Sequence, residues 1–270
     1  MKTTEYSPGR HRNALLVAIP DATWSRWQPR LRSIELSCGQ ALSGGGVLST
    51  QVIFPTTAIV SLVCTTSDGE SAEVGIIGND GVVGISRILG RADMASEHIV
   101  QSAGHGYLLP TTLAANELAG GGAVRAMMLD YSQSLFAQVA QTALCNRYHS
   151  IEQQLARRLL LSLDRSASEQ LTMTHESMAR LLGVRREGVS AAAYKMQKAG
   201  VIRYSRGRVV VQDREELEHR ACECYAVAAA EHAAVLRSAV GTWTRDRNSV
   251  TIDRAMRANR AAGAAAALAH

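Results

Sequence analysis

Positive charge is concentrated between residues 180 and 208 of this sequence. The stretch carries one acidic side chain, Glu187, and eight basic ones: Arg180, Arg185, Arg186, Lys195, Lys198, Arg203, Arg206 and Arg208. A solvated helix face usually mixes both signs, whereas a surface that meets phosphates carries a one-sided basic excess. The stretch therefore predicts contact with an anionic polymer such as double-stranded DNA.

The rest of the charge distribution supports this localisation. Residues 1–149 carry 10 basic and 11 acidic side chains, residues 150–225 carry 13 and 10, and residues 226–270 carry 6 and 3. The net charge of +5 thus belongs entirely to the C-terminal half, which indicates an anionic partner for that half. An apolar content of 46% over 270 residues is that of a folded chain and excludes a disordered or fibrous one.

The residues around the basic stretch predict a helix-turn-helix. Thr174 can cap a first helix, and Gly183 stands where the turn requires a left-handed residue. The inward sides of the two helices are supplied by Met178, Ala179, Leu181, Leu182, Val184, Val189 and Ala192. The alternative is a generic helical hairpin, which would not require this combination of small, apolar and glycine positions.

Two short strands follow the second helix. Val201–Tyr204 and Arg208–Val211 flank Ser205-Arg206-Gly207, which is a hairpin turn signal. Helix, turn, helix and hairpin together predict a winged helix-turn-helix over residues 150–225.

Geometry suggests which side chains would meet DNA, because the N-terminal part of the second helix enters the major groove in such domains. We predict base contacts from Arg186, Glu187 and Ser190. We predict phosphate contacts from Thr174, Arg185, Lys195, Arg206 and Arg208. For Glu187 the alternative is an ion pair with a nearby base on its own helix.

The N-terminal part of the sequence has a different residue pattern. Between residues 33 and 110, short β-branched or alternating runs are separated by glycine-rich turns, which predicts an antiparallel roll or barrel over residues 13–122. The predicted strands are Ile53–Phe54, Ile59–Cys64, Ala72–Ile77, Val82–Ile85, His98–Gln101 and Tyr107–Leu109. The expected fold class is therefore α+β.

A long helix is predicted over residues 123–149, and a second helix over Ile151–Leu163, because residues 123–163 contain neither Gly nor Pro. The long helix has a heptad-like apolar stripe of Leu129, Phe136, Val139 and Ala143. The stripe could pack on its own domain or pair with a second copy of the chain in a homodimer. Residues 226–270 are rich in Ala and Arg and predict a partly flexible tail, with a helix over Ala226–Val240.

With these elements in place, residues 13–225 resemble the Crp/Fnr superfamily of bacterial transcription regulators. The resemblance is strongest at Leu171–Leu217, and Asn13–Leu16 and Glu73–Gly78 add to it. It implies a cyclic-nucleotide-binding-like roll, a dimerisation helix that carries the apolar stripe, and homodimers on two-fold symmetric DNA sites. It also implies RNA polymerase as a partner that is contacted or blocked.

The sequence departs from the members that bind cyclic AMP. Those carry a Gly-Glu pair for the ribose and an Arg followed by a small hydroxyl residue for the phosphate. Here Ile85 follows Gly84, and the stretch 93–97 has no Arg, so control by cyclic AMP is not expected. The alternative is a roll that senses another, unidentified effector. Ala191 stands where the best-known members carry a second base-reading Arg, so their operator sequence does not transfer.

Other site classes are weakly supported. Cys222 and Cys224, with His219 nearby, suggest a metal site, but two thiols one residue apart on a predicted helix should point away from each other. Residues 1–37 lack the cysteines of an oxygen-sensing iron–sulfur cluster. We therefore predict no metal, no cofactor and no catalytic residues.

The compartment is predicted from the cysteines and the apolar runs. The chain has an odd number of scattered cysteines, which is atypical of a disulfide framework. The run Ala14–Ile19 is too short for a secretory signal or a membrane span. A cytoplasmic regulator is expected, and the alternative of another class is a protein-interaction module that does not bind DNA.

Overall fold

The computed structural model describes residues 9–43, 47–91, 96–166 and 170–240. The strands of its N-terminal half are β1 (Arg32–Leu36), β2 (Gln51–Pro55), β3 (Ile59–Thr65), β4 (Ser71–Ile77), β5 (Ser96–Ser102) and β6 (Gly104–Pro110). They form two three-stranded antiparallel sheets, ordered β1-β6-β2 and β4-β3-β5. Short β-branched runs separated by turns pair in this way because each strand can bury one face against the other sheet. The predicted antiparallel roll is confirmed.

One predicted strand, Val82–Ile85, is wrong. Val83 makes a single bridge to Ile53, and Gly84 then adopts a left-handed conformation with φ of 92°. An extended run cannot continue through such a residue. The chain turns instead into a short helix, α3 (Ile85–Ile88).

The helices that surround the roll are α1 (Ala14–Ala18), α2 (Asp21–Trp27), α4 (Thr111–Ala119), the 27-residue α5 (Gly122–Tyr148) and α6 (Ile151–Asp164). A capping box separates α5 from α6. Ser150 Oγ accepts from the backbone N–H of Gln153 at 3.3 Å, and Gln153 Oε1 accepts from the backbone N–H of Ser150 at 3.0 Å. The two helices predicted on either side of residue 150 are confirmed.

Helix α5 covers the roll with one of its faces. Val124, Met127 and Met128 are buried against the roll core, and the Tyr131 hydroxyl donates to the carbonyl of Val82 at 3.2 Å. Burial raises the pKa of Tyr131, so this hydroxyl stays protonated as a donor. The position of α5 is therefore set by packing within the chain, which leaves its opposite face to solvent.

Two buried ion pairs join α6 to the roll. Arg158 Nη2 lies 2.7 Å from Glu73 Oε2, and Arg165 Nη2 lies 2.8 Å from Asp80 Oδ2. Burial raises the pKa of Glu73, and the charge of Arg158 opposes that shift. Arg158 also donates to the side chain of Gln101 on β5. The first helix of the C-terminal half is thus fixed against β4 and β5.

The C-terminal elements are α7 (His175–Leu182), α8 (Arg186–Lys198), α9 (Arg214–Arg220) and α10 (Cys224–Val240), with strands β7 (Gln170–Thr172), β8 (Ile202–Ser205) and β9 (Arg208–Val211). The two wing strands are confirmed, and β7, which the sequence pattern did not predict, completes a sheet of order β7-β9-β8.

Helix α10 contains the predicted helical stretch of the tail and begins two residues earlier. It packs along α5, and its first turns belong to the C-terminal core, since Tyr225 and Ala228 are buried. The remainder of the predicted tail, residues 241–270, lies outside the described residues. Among the helices that are described, none is both long enough and apolar enough to cross a membrane.

Candidate nucleic-acid interface

The first helix of the helix-turn-helix begins and ends as its sequence predicts. Thr174 Oγ1 accepts from the backbone N–H of Ser177 at 3.0 Å, and the Ser177 hydroxyl lies 2.9 Å from the backbone N–H of Thr174. The helix ends at Gly183, whose φ of 64° is left-handed. A side chain other than hydrogen is strained there, so Gly183 determines the angle between α7 and α8.

Apolar side chains hold the two helices together and orient α8. Met178, Ala179 and Leu182 of α7 are buried in one core with those of α8, namely Val189, Ala192, Ala193 and Met196. Leu181 and Val184 are partly buried against the same core. Because these positions occupy one side of α8, the other side faces solvent.

The basic residues of the 180–208 stretch are all exposed to solvent: Arg180, Arg185, Arg186, Lys195, Lys198, Arg203, Arg206 and Arg208. Within the described part of the chain, only Lys195 among them makes an ion pair, at 3.8 Å from Glu152. Glu187 is also exposed and has no ion pair among the described residues. The alternative of an intrahelical partner for Glu187 is therefore wrong in this structure.

The first turn of α8 is electrostatically unusual. Arg185 occupies the N-cap and Arg186 the first helical position, where the helix dipole disfavours positive charge. Glu187, in the same turn, is favoured by the dipole. Neither guanidinium has an ion pair within the described residues, so the helix dipole disfavours both charges in the isolated chain.

Ser190 has a structural contact that the sequence did not indicate. Its hydroxyl lies 2.9 Å from His175 Nδ1, and the His175 ring stacks on Tyr204 with centroids 4.2 Å apart. Burial, followed by the charge of Arg186, lowers the pKa of His175. This trio links α8, α7 and the wing. A hydroxyl can donate once and accept twice. The Ser190 hydroxyl could therefore make the predicted base contact while it remains bonded to His175.

The wing turn holds two of the predicted phosphate contacts. Arg206 and Gly207 both adopt left-handed conformations, with φ of 48° and 76°, and Arg206 is the only non-glycine residue with positive φ in the described ranges. The Gly207 carbonyl accepts from the backbone N–H of Met173 at 2.8 Å, which places the turn next to the cap of α7. Arg206 and Arg208 are consequently presented on the same side of the domain as Thr174.

Two positions on α8 change the predicted surface. Lys195 comes nine residues after Arg186, about half a turn around the helix, and it faces α6 through its contact with Glu152. Tyr194, which sequence reasoning missed, is 66% exposed. It follows Glu187 by seven residues and so lies on the same face. The heptad spacing was the available signal.

The predicted dimerisation stripe lies on the solvent side of α5. Leu129 is 48% exposed and Phe136 is 67% exposed, while Val139 is partly buried and Ala143 is exposed. The alternative, that the stripe packs on its own domain, fails for Leu129, Phe136 and Ala143. An apolar strip of this kind along a helix is typical of a contact surface.

In the segment that departs from cyclic-AMP-binding proteins, Ile85 and Arg87 are both part of a short helix. Ile85 begins α3, and Arg87 Nη1 donates to the carbonyl of Ser49 at 3.3 Å. Of the stretch 93–97, residues 93–95 lie outside the described residues. A cleft between the roll and α5, lined by Asp80, Tyr131 and Gln138 among others, has a volume of about 10 Å³, which is room for one water molecule.

The expectation about the C-terminal cysteines is wrong in its geometry. Cys222 precedes α10 instead of lying on it, so helical spacing does not separate its thiol from that of Cys224. Both thiols lie beside Cys145 and His149 at the end of α5, and all four potential ligand atoms are within 4.8 Å of one another. His219, the histidine considered from sequence, is exposed on α9 near Glu216.

The family model for the Crp-like helix-turn-helix domain matches residues 153–220. This range contains α6 to α9 and the wing, which are the elements that position the surface described above. Comparison with curated proteins gives no match.

The fold is similar to solved structures of Crp/Fnr proteins. A family regulator from Eubacterium rectale has 16% identity and a TM-score of 0.60, with 77% of this chain and 97% of that chain covered. FixK2 from Bradyrhizobium japonicum has 14% identity and a TM-score of 0.59, covering 71% and 98%. The c-di-GMP-responsive regulator CLP from Xanthomonas campestris has 16% identity and a TM-score of 0.53, covering 71% and 99%.

Proposed function

This chain carries a Crp-like helix-turn-helix domain on a Crp/Fnr fold, and from that premise we propose that it is a sequence-specific transcription regulator. It binds two-fold symmetric DNA sites as a homodimer, without control by cyclic AMP, and acts by contacting or blocking RNA polymerase.

The observation that carries the proposal is the solvent face of α8 together with the wing. Eight basic side chains are exposed on and around these elements, and seven of them make no ion pair within the described residues. Folding alone does not require such an arrangement, because like charges repel one another. Phosphates of duplex DNA would neutralise them and release counterions.

The proposed DNA-contacting side chains fall into a base-reading group and a phosphate-contacting group. Arg186 and Glu187, in the first turn of α8, are placed to donate to guanine and to accept from cytosine in the major groove. Ser190 and Tyr194 extend the same face. The phosphate contacts are assigned to Thr174, Arg185, Arg206 and Arg208, which would orient the domain without reading sequence. Lys195 is no longer assigned a phosphate contact, because it lies half a turn from Arg186 and faces Glu152 on α6.

The apolar stripe on α5 supplies the dimer. Leu129, Phe136, Val139 and Ala143 would meet the same residues of a second copy in an isologous, two-fold contact. A two-fold axis along this contact presents two copies of α8, which then read half-sites about one helical turn, roughly 34 Å, apart.

Independence of cyclic AMP is supported by the roll. Ile85 replaces the acid that would hold the ribose, and the stretch 93–97 contains no Arg to neutralise the phosphate. A buried cyclic phosphate would also need a positioned cation or a set of amide donors.

The test is selection of bound duplexes from a random DNA library, followed by titration of the selected site. We expect a two-fold symmetric motif and an affinity that falls steeply with salt. Arg186→Ala should weaken the selected site by about 1–3 kcal/mol, or about 5- to 150-fold, and relax the preference at one base pair. Arg206→Ala should weaken binding to all DNA sequences alike, and it should reduce the slope of log affinity against log salt concentration by about 1.

The matched control is Arg32→Ala, which removes one exposed positive charge from β1 on the roll. It should leave both motif and salt slope unchanged. Failure to enrich any motif, or binding that does not respond to salt, would refute the proposal and favour a protein-interaction module. Saturable binding of cyclic AMP in a calorimeter would refute the effector part alone.

A further inference from the structure

Four side chains from two distant parts of the chain meet beside the end of α5. Cys145 and His149 lie four residues apart, so they share one face at that helix end. Cys222 and Cys224 lie in the link from α9 to α10. Cys145 Sγ is 3.5 Å from Cys222 Sγ, and Cys224 Sγ is 3.4 Å from His149 Nδ1. All four ligand atoms lie within 4.8 Å of one another.

We propose that Cys145, His149, Cys222 and Cys224 form a closed, tetrahedral Zn²⁺ site. With Zn–S bonds of about 2.3 Å and Zn–N bonds of about 2.0 Å, the edges of the tetrahedron measure about 3.8 Å between sulfurs and about 3.5 Å between sulfur and nitrogen. The Cys145–Cys222 separation of 3.5 Å and the Cys224–His149 separation of 3.4 Å are close to these values, and the other pairs lie within 4.8 Å. Three thiolates and one imidazole are a known structural zinc ligand set, and soft thiolates disfavour Mg²⁺ or Ca²⁺.

The outer contacts are those expected around a zinc ligand. His149 presents Nδ1 to the cluster, while its other ring nitrogen, Nε2, lies 3.2 Å from Glu223 Oε1. A carboxylate on the far ring nitrogen fixes the tautomer and ring orientation of a metal-bound histidine. Gln141 Nε2 donates to Cys224 Sγ at 3.0 Å, which favours the thiolate.

Charge gives an independent reason. Zn²⁺ with three thiolates and a neutral imidazole carries one net negative charge. Arg157, which is 5% exposed, has no carboxylate within ion-pair distance in the described part of the chain, and its Nε has no hydrogen-bond partner. Its Nη2 donates to Thr142 Oγ1 on α5 at 2.8 Å, three residues before Cys145, so the guanidinium lies next to the cluster. The anionic zinc complex would compensate this buried guanidinium.

The three thiols are buried, which indicates a structural site and not a catalytic one. An iron–sulfur cluster fits less well, because its four protein ligands surround a core of two or four irons with bridging sulfides. Some of the ligand atoms would then have to lie farther apart than the 4.8 Å within which all four lie here. The metal would connect the end of α5, next to the capped break before α6, to the start of α10. It would thereby fasten α10 along the predicted dimerisation helix.

The experiment uses the full chain, purified under reducing conditions and analysed for metals. We expect about one zinc per protomer, and Co²⁺ replacement should give a thiolate-to-cobalt charge-transfer band and the intense visible bands of a tetrahedral site. His149→Ala changes the least buried ligand and so spares the core; it should abolish the tetrahedral cobalt spectrum while the circular dichroism of the fold is kept. Glu223→Gln should weaken zinc affinity by about 10- to 100-fold.

The matched control is Cys38→Ser with Cys64→Ser, since both of these thiols are exposed on the roll. This double variant should retain zinc and the cobalt spectrum. The proposal is overturned if the reduced wild-type chain takes up neither Zn²⁺ nor Co²⁺, or if His149→Ala leaves the spectrum unchanged. It is also overturned by a Cys145–Cys222 disulfide in the native chain, or by iron with acid-labile sulfide in an anaerobic preparation.

Discussion

Phe136 provides the sharpest test of the proposed dimer. It is the most exposed side chain of the stripe on α5, at 67%. Complete burial of a phenylalanine contributes about 1.5–3 kcal/mol, so burying the exposed two-thirds contributes about 1–2 kcal/mol. A two-fold contact uses the residue twice, which gives about 2–4 kcal/mol per dimer. Phe136→Ala should therefore raise the dissociation constant of the dimer by about 30- to 700-fold.

Sedimentation equilibrium over a concentration series measures this constant directly. Leu89→Ala is the matched control, because Leu89 is an exposed apolar side chain (38%) that lies outside α5. It should leave the dissociation constant unchanged. If Phe136→Ala dimerises as tightly as the wild type, or if the wild type is monomeric at all concentrations, the exposed stripe is not the dimer contact. Selection of single half-sites by Phe136→Ala would show that dimerisation sets the operator symmetry.

Two further predictions concern the stability of the arrangement that carries the surface. Glu73→Gln leaves the Arg158 guanidinium buried without its carboxylate and should lower the free energy of unfolding by about 3–5 kcal/mol, measured as a lower urea midpoint. The control is Glu117→Gln, which breaks the more exposed pair with Arg26 and should lower the free energy of unfolding by at most about 1 kcal/mol. Equal effects of the two variants would contradict the role of Glu73 as the buried partner of Arg158. The pKa of His175 is lowered in the folded chain, so the unfolded chain takes up the proton first as the pH falls. The contribution of the neutral His175 to the free energy of unfolding is then fully present above about pH 6.5 and is lost as the pH falls below it. His175→Gln should therefore show a smaller decrease of Tm at acidic pH than the wild type. Equal decreases of Tm in the two proteins would contradict this assignment to His175.

The helix-turn-helix could be predicted from sequence because its signals are local. Thr174 acts on the turn that follows it, and the apolar positions repeat at the spacing of one helix. Gly183 is required by the backbone conformation of its own residue. The opposite case is Gly84, whose left-handed conformation ends a predicted strand. A glycine permits such a conformation without requiring it. The sequence pattern alone therefore did not distinguish a strand that continues through Gly84 from one that ends there.

The cysteine cluster could not be predicted in this way. Cys145 and Cys222 are 77 positions apart, and they meet only because α10 packs along α5. Ser190 and His175 likewise meet through the crossing of two helices. Such contacts depend on tertiary packing, which no spacing along one element encodes. In both cases the sequence shows residue types that can make the contact, but it does not show which residues come together.

The placement of α8 relative to α5 depends on α6, so the buried ion pairs would matter for the proposed DNA reading. A buried pair adds little net stability, because the desolvation of both charges offsets their attraction. It does, however, penalise every arrangement in which either charge is left alone. Arg158 with Glu73 and Arg165 with Asp80 therefore select one orientation of the C-terminal half on the roll. If α5 sets the two-fold axis and α6 sets the angle to α8, the half-site spacing follows from this chain's own contacts. A regulator built in this way would hold its DNA-reading geometry without a bound nucleotide, in accordance with a roll that lacks the residues for a cyclic phosphate.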